Sequence, residues 1–173
     1  DFFNHKSRNG FYNDALNSEY ATPADVNLFY LFYDGFEDEP QTPTEEENML
    51  LDGKLDSYWR YADLIRLPAD KVNAAVMEMF GITLEQTNKV GLDKLVYLEE
   101  TDCYYGAGHG IHDVDMTVQR VEHQQDGTIL VYYNRENMLD NMVIALKPNS
   151  NNYQILSNLP ETEYMDPEER AAL

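Results

Sequence analysis

The feature that most constrains this chain is a change of rhythm along it. Before Val114 the apolar residues recur at helical spacing, and from Val114 onward the chain reads as strand, turn, strand. Helices gathered in one half and strands in the other predict an α+β domain, because each layer must bury its apolar face against the other. At 173 residues the chain is long enough for one substantial core. Its 43% hydrophobic and 12% aromatic content is that of a globular protein, despite a formal charge of −20.

The helical half has clear punctuation. Thr22 followed by Pro23 is a capping hydroxyl with proline at the first helical position. Val26 to Tyr33 is apolar nearly all round and belongs in a core, as a buried helix or, almost equally well, a buried strand; Asp34-Gly35 ends it. Thr44-Glu45-Glu46-Glu47 spells a capping box. Leu55 to Leu67 carries Tyr58, Trp59, Tyr61, Leu64 and Ile65 and stops at Pro68. Val72, Ala75, Val76, Met79 and Phe80 then make one helical stripe, with Gly81 placed to terminate it. Thr83 caps a short turn through Thr87, and Gly91 precedes Val96-Tyr97-Leu98.

In the second half, Val114, Met116 and Val118 alternate with polar residues, as in a half-buried strand. The alternation breaks at Arg120-Val121, which predicts a bulge. Asp126-Gly127 predicts a two-residue type I′ hairpin turn. Ile129 to Tyr133 reads as a central strand, Met142, Ile144 and Leu146 as the next inward set, and Tyr153 to Leu156 as a last strand. The expected architecture is therefore N-terminal helices packed on a C-terminal antiparallel meander sheet of about four to six strands. Residues 1–21 read as a polar arm or tether, 22–159 as a single α+β domain, and 160–173 as an acidic, frayed or linker-like tail.

Charge limits the partners. Twelve bases face 32 acids, and no cluster of Lys and Arg exists to displace counterions from nucleic acid or to dock on an anionic lipid surface. No apolar run has the length of a transmembrane helix. A basic protein or peptide partner, a cation, or simple solubility remains. The lone cysteine, Cys103, rules out an internal disulfide framework. The start at Asp1, with an Asn-rich stretch behind it, reads as a mature chain whose leader or anchor has been removed, which places the expected protein outside the cell or at its surface.

One stretch, Asp102 to Asp113, gathers a thiol, two imidazoles and several carboxylates. His109 and His112, with Asp113 or Asp115, have the donor chemistry of a zinc site. The stretch is rich in glycine, however, and no helix makes the rings converge, so a hairpin loop is the commoner outcome. Cys103 with His109 would make a thiolate nucleophile, yet the surrounding acids raise a thiol pKa, and a lone Cys beside Tyr104 suits a small buried hydrophobe. The run Gly106 to Gly110 lacks the spacing of a phosphate loop. Tyrosine is abundant at 13 residues, and the pairs Tyr104-Tyr105 and Tyr132-Tyr133 present one ring to each face of a strand. The candidate binding residues are Tyr104, Tyr105, His109, His112, Asp113 and Tyr132; no catalytic residue, metal ligand or cofactor is assigned.

The stretches FGITLEQT, VYLEETDCYYGAGHG, DGTILVYYN and VIALKPNSNNYQILSN carry a resemblance in pattern over roughly residues 68–158. They resemble uncharacterised secreted or lipid-anchored proteins of Gram-positive gut bacteria, with an α+β domain similar to the nuclear-transport-factor-2-like (NTF2-like) and cystatin-like architectures. The resemblance implies a helix across a curved meander sheet and a possible cavity, and it carries over no catalytic residue. Two functions follow as expectations. One is an exported, non-enzymatic binding module that engages a protein or peptide through acidic and tyrosine-rich surfaces. The alternative is a small-molecule or metal-binding pocket protein, or a small hydrolase, using the concave face of the sheet.

Overall fold

The computed structural model describes residues 11–36, 42–54, 63–108, 114–135, 141–150 and 152–166. In chain order, α1 (Phe11–Asp14) runs into a 3-10 turn at Ala15–Asn17, and a second turn at Pro23–Asp25 precedes α2 (Leu28–Leu31). Then come α3 (Glu45–Leu51), β1 (Asp63–Pro68), α4 (Ala69–Phe80), β2 (Val96–Leu98) and β3 (Cys103–Gly108). The chain continues through β4 (Met116–His123), β5 (Ile129–Arg135), β6 (Asn141–Pro148), β7 (Tyr153–Pro160) and a last 3-10 turn at Glu161–Tyr164. This is an α+β fold with helices packed on antiparallel sheet. No described helix is long and apolar enough to cross a membrane.

Of the local signals in the helical half, the Thr22-Pro23 start opens only a 3-10 turn, with the Thr22 hydroxyl donating to Asp25 and capping no amide, whereas the Thr44 box forms as expected. The Thr44 hydroxyl accepts the Glu47 amide at 3.2 Å while the Glu47 carboxylate accepts the Thr44 amide at 2.8 Å. In α2 the cap is Asn27, whose side-chain oxygen accepts the amides of Phe29 and Tyr30. The stripe of α4 buries Val72, Val76, Met79 and Phe80. Gly81 closes that helix at φ +71°, and a Cβ there would meet the Gln154 amide nitrogen at 2.5 Å. Gly81→Ala combines left-handed strain with a displaced Gln154, so a loss of about 1–2 kcal/mol is expected in urea unfolding.

The strands form two sheets, ordered β1-β3-β2 and β4-β5-β6-β7, every pairing antiparallel. The second is a meander, as the spacing of its turns predicts. The first is an addition: strand structure begins well before Val114, because Leu64, Ile65, Arg66 and Leu67 alternate between two covered faces. Ile65 and Leu67 enter the main core, whereas Leu64 packs into a smaller cluster of Leu51, Leu98, Cys103 and Tyr105 beneath α3. The main core lies between α4, the N-terminal turns and the inner face of the meander, where Val131, Tyr133, Met142, Ile144, Leu146 and Ile155 are buried.

Residues 12–20, read from the sequence as the end of a polar arm, enter this core. Tyr12, Ala15, Leu16 and Tyr20 are each at most 2% exposed. Polarity misleads here because much of the buried polarity is paired internally, through backbone and amide groups, although the Ser18 and Tyr20 hydroxyls are buried with no partner among the described residues. Asn158 donates to the Ser18 carbonyl and accepts the Tyr133 hydroxyl, and Tyr20 pairs with Asn158 through two backbone bonds of 2.9 Å. The C-terminal segment differs in the same sense. Glu161 binds Arg120 and Asn141, and the Tyr164 hydroxyl lies 2.8 Å from Ser157, so this turn lies against β6 and β7.

Two details of the β4–β5 hairpin also depart from the sequence reading. Asp126 keeps a negative φ, Gly127 sits at +86°, and the Gly127 amide bonds to the Gln124 carbonyl. That is a three-residue loop with glycine in the left-handed position, in place of a two-residue type I′ turn. The bulge lies one residue earlier than expected, at Gln119, between the pairs Val118–Tyr133 and Arg120–Tyr132.

Candidate functional site

The sequence-selected residues that the structure describes, Tyr104, Tyr105 and Tyr132, lie in three places. Tyr104 and Tyr105, adjacent on β3, point to opposite faces, as strand geometry requires. Tyr105 is fully buried under α3, where its hydroxyl donates to Glu47 Oε1 at 2.8 Å and lies 2.9 Å from the Thr101 hydroxyl. Arg66 Nε donates to the same carboxylate oxygen at 2.9 Å. Burial alone would raise the Glu47 pKa, but the Thr44 amide, the Tyr105 hydroxyl and Arg66 together hold it below the ordinary value. Burial pushes the Tyr105 phenol up to about 12. The Glu47 carboxylate thus ties a helix N-terminus to two strands, and Tyr105 has no face toward solvent.

Cys103 sits beside this cluster, 1% exposed, with its thiol donating to the Thr101 carbonyl at 3.1 Å. Burial raises its pKa, outweighing the opposing pull of Arg66. A buried, protonated thiol behaves as a small hydrophobe, and nucleophilic chemistry requires the reverse.

Tyr104 faces the other way and is half-buried. Its ring packs against Tyr97 with centroids 4.9 Å apart. The Tyr97 hydroxyl donates to Asp102 Oδ1 at 2.7 Å, which pushes that phenol up to about 12. Nearby, Lys94 lies over the rings of Phe29 and Tyr30 at 5.1 and 5.6 Å. Tyr30 and Tyr97 remain exposed, at 38% and 43%, and the Tyr97 ring carries the Asp102 carboxylate at its hydroxyl.

Tyr132, the third location, is closed from outside. Arg120 stacks on its ring at 3.4 Å and is itself held by Glu122 at 2.9 Å and Glu161 at 2.8 Å. The bulge at Gln119 makes this arrangement, because it turns Arg120 to the outer face directly opposite Tyr132. The break in alternation at Arg120-Val121 signals the bulge to within one residue, whereas the Glu161 contact has no local sequence signature. The sheet's inner face also holds a buried cation that sequence reasoning missed, Arg135, whose guanidinium reaches the Leu16 carbonyl at 3.5 Å and approaches Glu19 at 4.0 Å.

His109, His112 and Asp113 lie outside the described residues. Among the described residues no three His, Cys, Asp or Glu side chains gather as metal ligands. The Gly-rich stretch, read as a loop, is strand as far as Gly108: Gly106 pairs with Ile65 and Gly108 with Asp63. Compared with models of protein families, with curated proteins and with solved structures, the chain matches none of them.

Proposed function

We propose that this protein is an exported, non-enzymatic binding module that engages a basic protein or peptide through its acidic and tyrosine-bearing surface. One observation carries the reading: internal contacts occupy the described arginines, while carboxylates remain turned to solvent. Arg66 is held by Glu47, Arg120 by Glu122 and Glu161, and Arg135 lies in the core near Glu19. Lys89 pairs with Glu85, and Lys94 covers aromatic rings. Glu45, Glu46, Glu99, Glu100 and Asp115 stay exposed. Such a surface attracts cationic partners and repels anionic ones over roughly a Debye length. The exposed rings of Tyr30 and Tyr97 add rigid apolar area with polar tips, which suits recognition at low entropic cost.

The test is selection of a random displayed peptide library on the immobilised protein. Enrichment of Lys- and Arg-rich sequences is expected, with affinity falling about tenfold between roughly 50 and 300 mM salt. Enrichment without basic residues, or affinity indifferent to salt, would sink the reading.

A further inference from the structure

The two edges of the meander sheet are treated differently. At β7 the backbone of Tyr20 bonds to Asn158 in both directions, and α4 packs against the strand. At β4 the Asn13 side chain clasps Val114 through bonds of 2.7 and 3.0 Å, just before the strand begins. Beyond that point β4 pairs only with β5 among the described residues. Its outward row of backbone N–H and C=O groups is the kind of template that another strand completes.

The side chains on this edge are equally open. The register places Val118 opposite Tyr133 and Val121 opposite Val131, on the core-facing side of the sheet. Tyr133 and Val131 are buried, yet Val118 and Val121 are 52% and 48% exposed. The bulge at Gln119 is what keeps both valines on this side, since a regular strand would turn Val121 outward. An apolar step therefore runs along an edge left unpaired among the described residues, and the covered core continues directly behind it.

Charge selects the occupant. Between Asp115 and Asp126 the chain carries three acids and one base, Arg120, which is already paired with Glu122 and Glu161. A second copy of this chain would bring its own −20 charge to the same edge, and like charges oppose close approach. We propose that β4 accepts an extended segment of a cationic partner as a fifth strand, with apolar residues over Val118 and Val121 and Lys or Arg toward Asp115 and Asp126. This rests on the binding-module reading and gives that reading an address.

The probe is a synthetic peptide of alternating valine and lysine, compared with the same peptide N-methylated at alternate amides. N-methylation removes strand hydrogen bonds and leaves charge unchanged. The expected result is binding by the first peptide, slowed hydrogen exchange at β4 amides, and at least a tenfold loss on N-methylation. The double variant Val118→Ser/Val121→Ser, altered only at exposed edge positions, should weaken binding about tenfold. Equal, salt-sensitive binding of both peptides would overturn strand addition while leaving the acidic-surface reading intact. No binding of either peptide at millimolar concentration would overturn both. Self-association of the protein that the Val118→Ser/Val121→Ser variant abolishes would name a second copy as the occupant and overturn the cationic partner.

Discussion

Leu16→Ala is expected to destabilise the protein by about 3 kcal/mol, the middle of the range for a leucine truncated in a closed core. Leu16 is 0% exposed, and its carbonyl accepts a hydrogen bond from the Arg135 guanidinium. Its neighbours Tyr12, Ala15 and Tyr20 are buried with it, so the site has little freedom to collapse after the side chain is shortened. In an unpacked polar arm the same substitution would change stability by no more than about 0.5 kcal/mol. Urea unfolding followed by tyrosine and tryptophan fluorescence separates the two outcomes, and an unchanged midpoint would remove residues 11–20 from the folded unit.

Glu47→Ala should cost about as much, roughly 3 kcal/mol, for a different reason. The substitution strands Arg66, whose side chain is only 31% exposed, and the buried Tyr105 hydroxyl, and it opens the capping box at the start of α3. Glu47→Gln isolates the charge. It keeps the volume and part of the hydrogen bonding, so it should lose less than alanine does. Because the carboxyl is held below its ordinary value of 4.5, ionised Glu47 contributes stability that is complete above that pH. The contribution falls as pH drops through the folded-state value. The stability gap between native protein and Glu47→Gln should therefore be constant near neutrality and shrink below about pH 4.5. A gap that stays constant down to acid unfolding would show that the carboxylate is not ionised and paired as the geometry implies.

How far the candidate site was legible follows from where its contacts originate. Tyrosine pairing on strands is a local property, so the opposed directions of Tyr104 and Tyr105, and of Tyr132 and Tyr133, were readable from adjacency alone. Their availability to a partner was not. Tyr105 is withdrawn by Glu47, 58 residues away in sequence, and Tyr132 is covered by Arg120, which Glu161 holds in place. The exposed surface instead falls to Tyr30 and Tyr97, whose exposure depends on what fails to pack over them.

The sequence by itself determined the α+β class, the Thr44 capping box, the buried stripe and terminating glycine of α4, and the meander order of the last four strands. Each is decided by residues within a turn or two of one another, through side-chain capping, the 3.6-residue and two-residue periods, or a glycine's access to positive φ. Only the tertiary structure decided that residues 12–20 enter the core, that β1, β3 and β2 form a separate sheet under α3, and that β4 has an open edge among the described residues. Those outcomes depend on which apolar and polar surfaces meet across long separations: Asn158 against Ser18, Asn13 against Val114, Tyr105 against Glu47. These polar groups draw their stability from partners far along the chain, and local composition carries no record of such a partner.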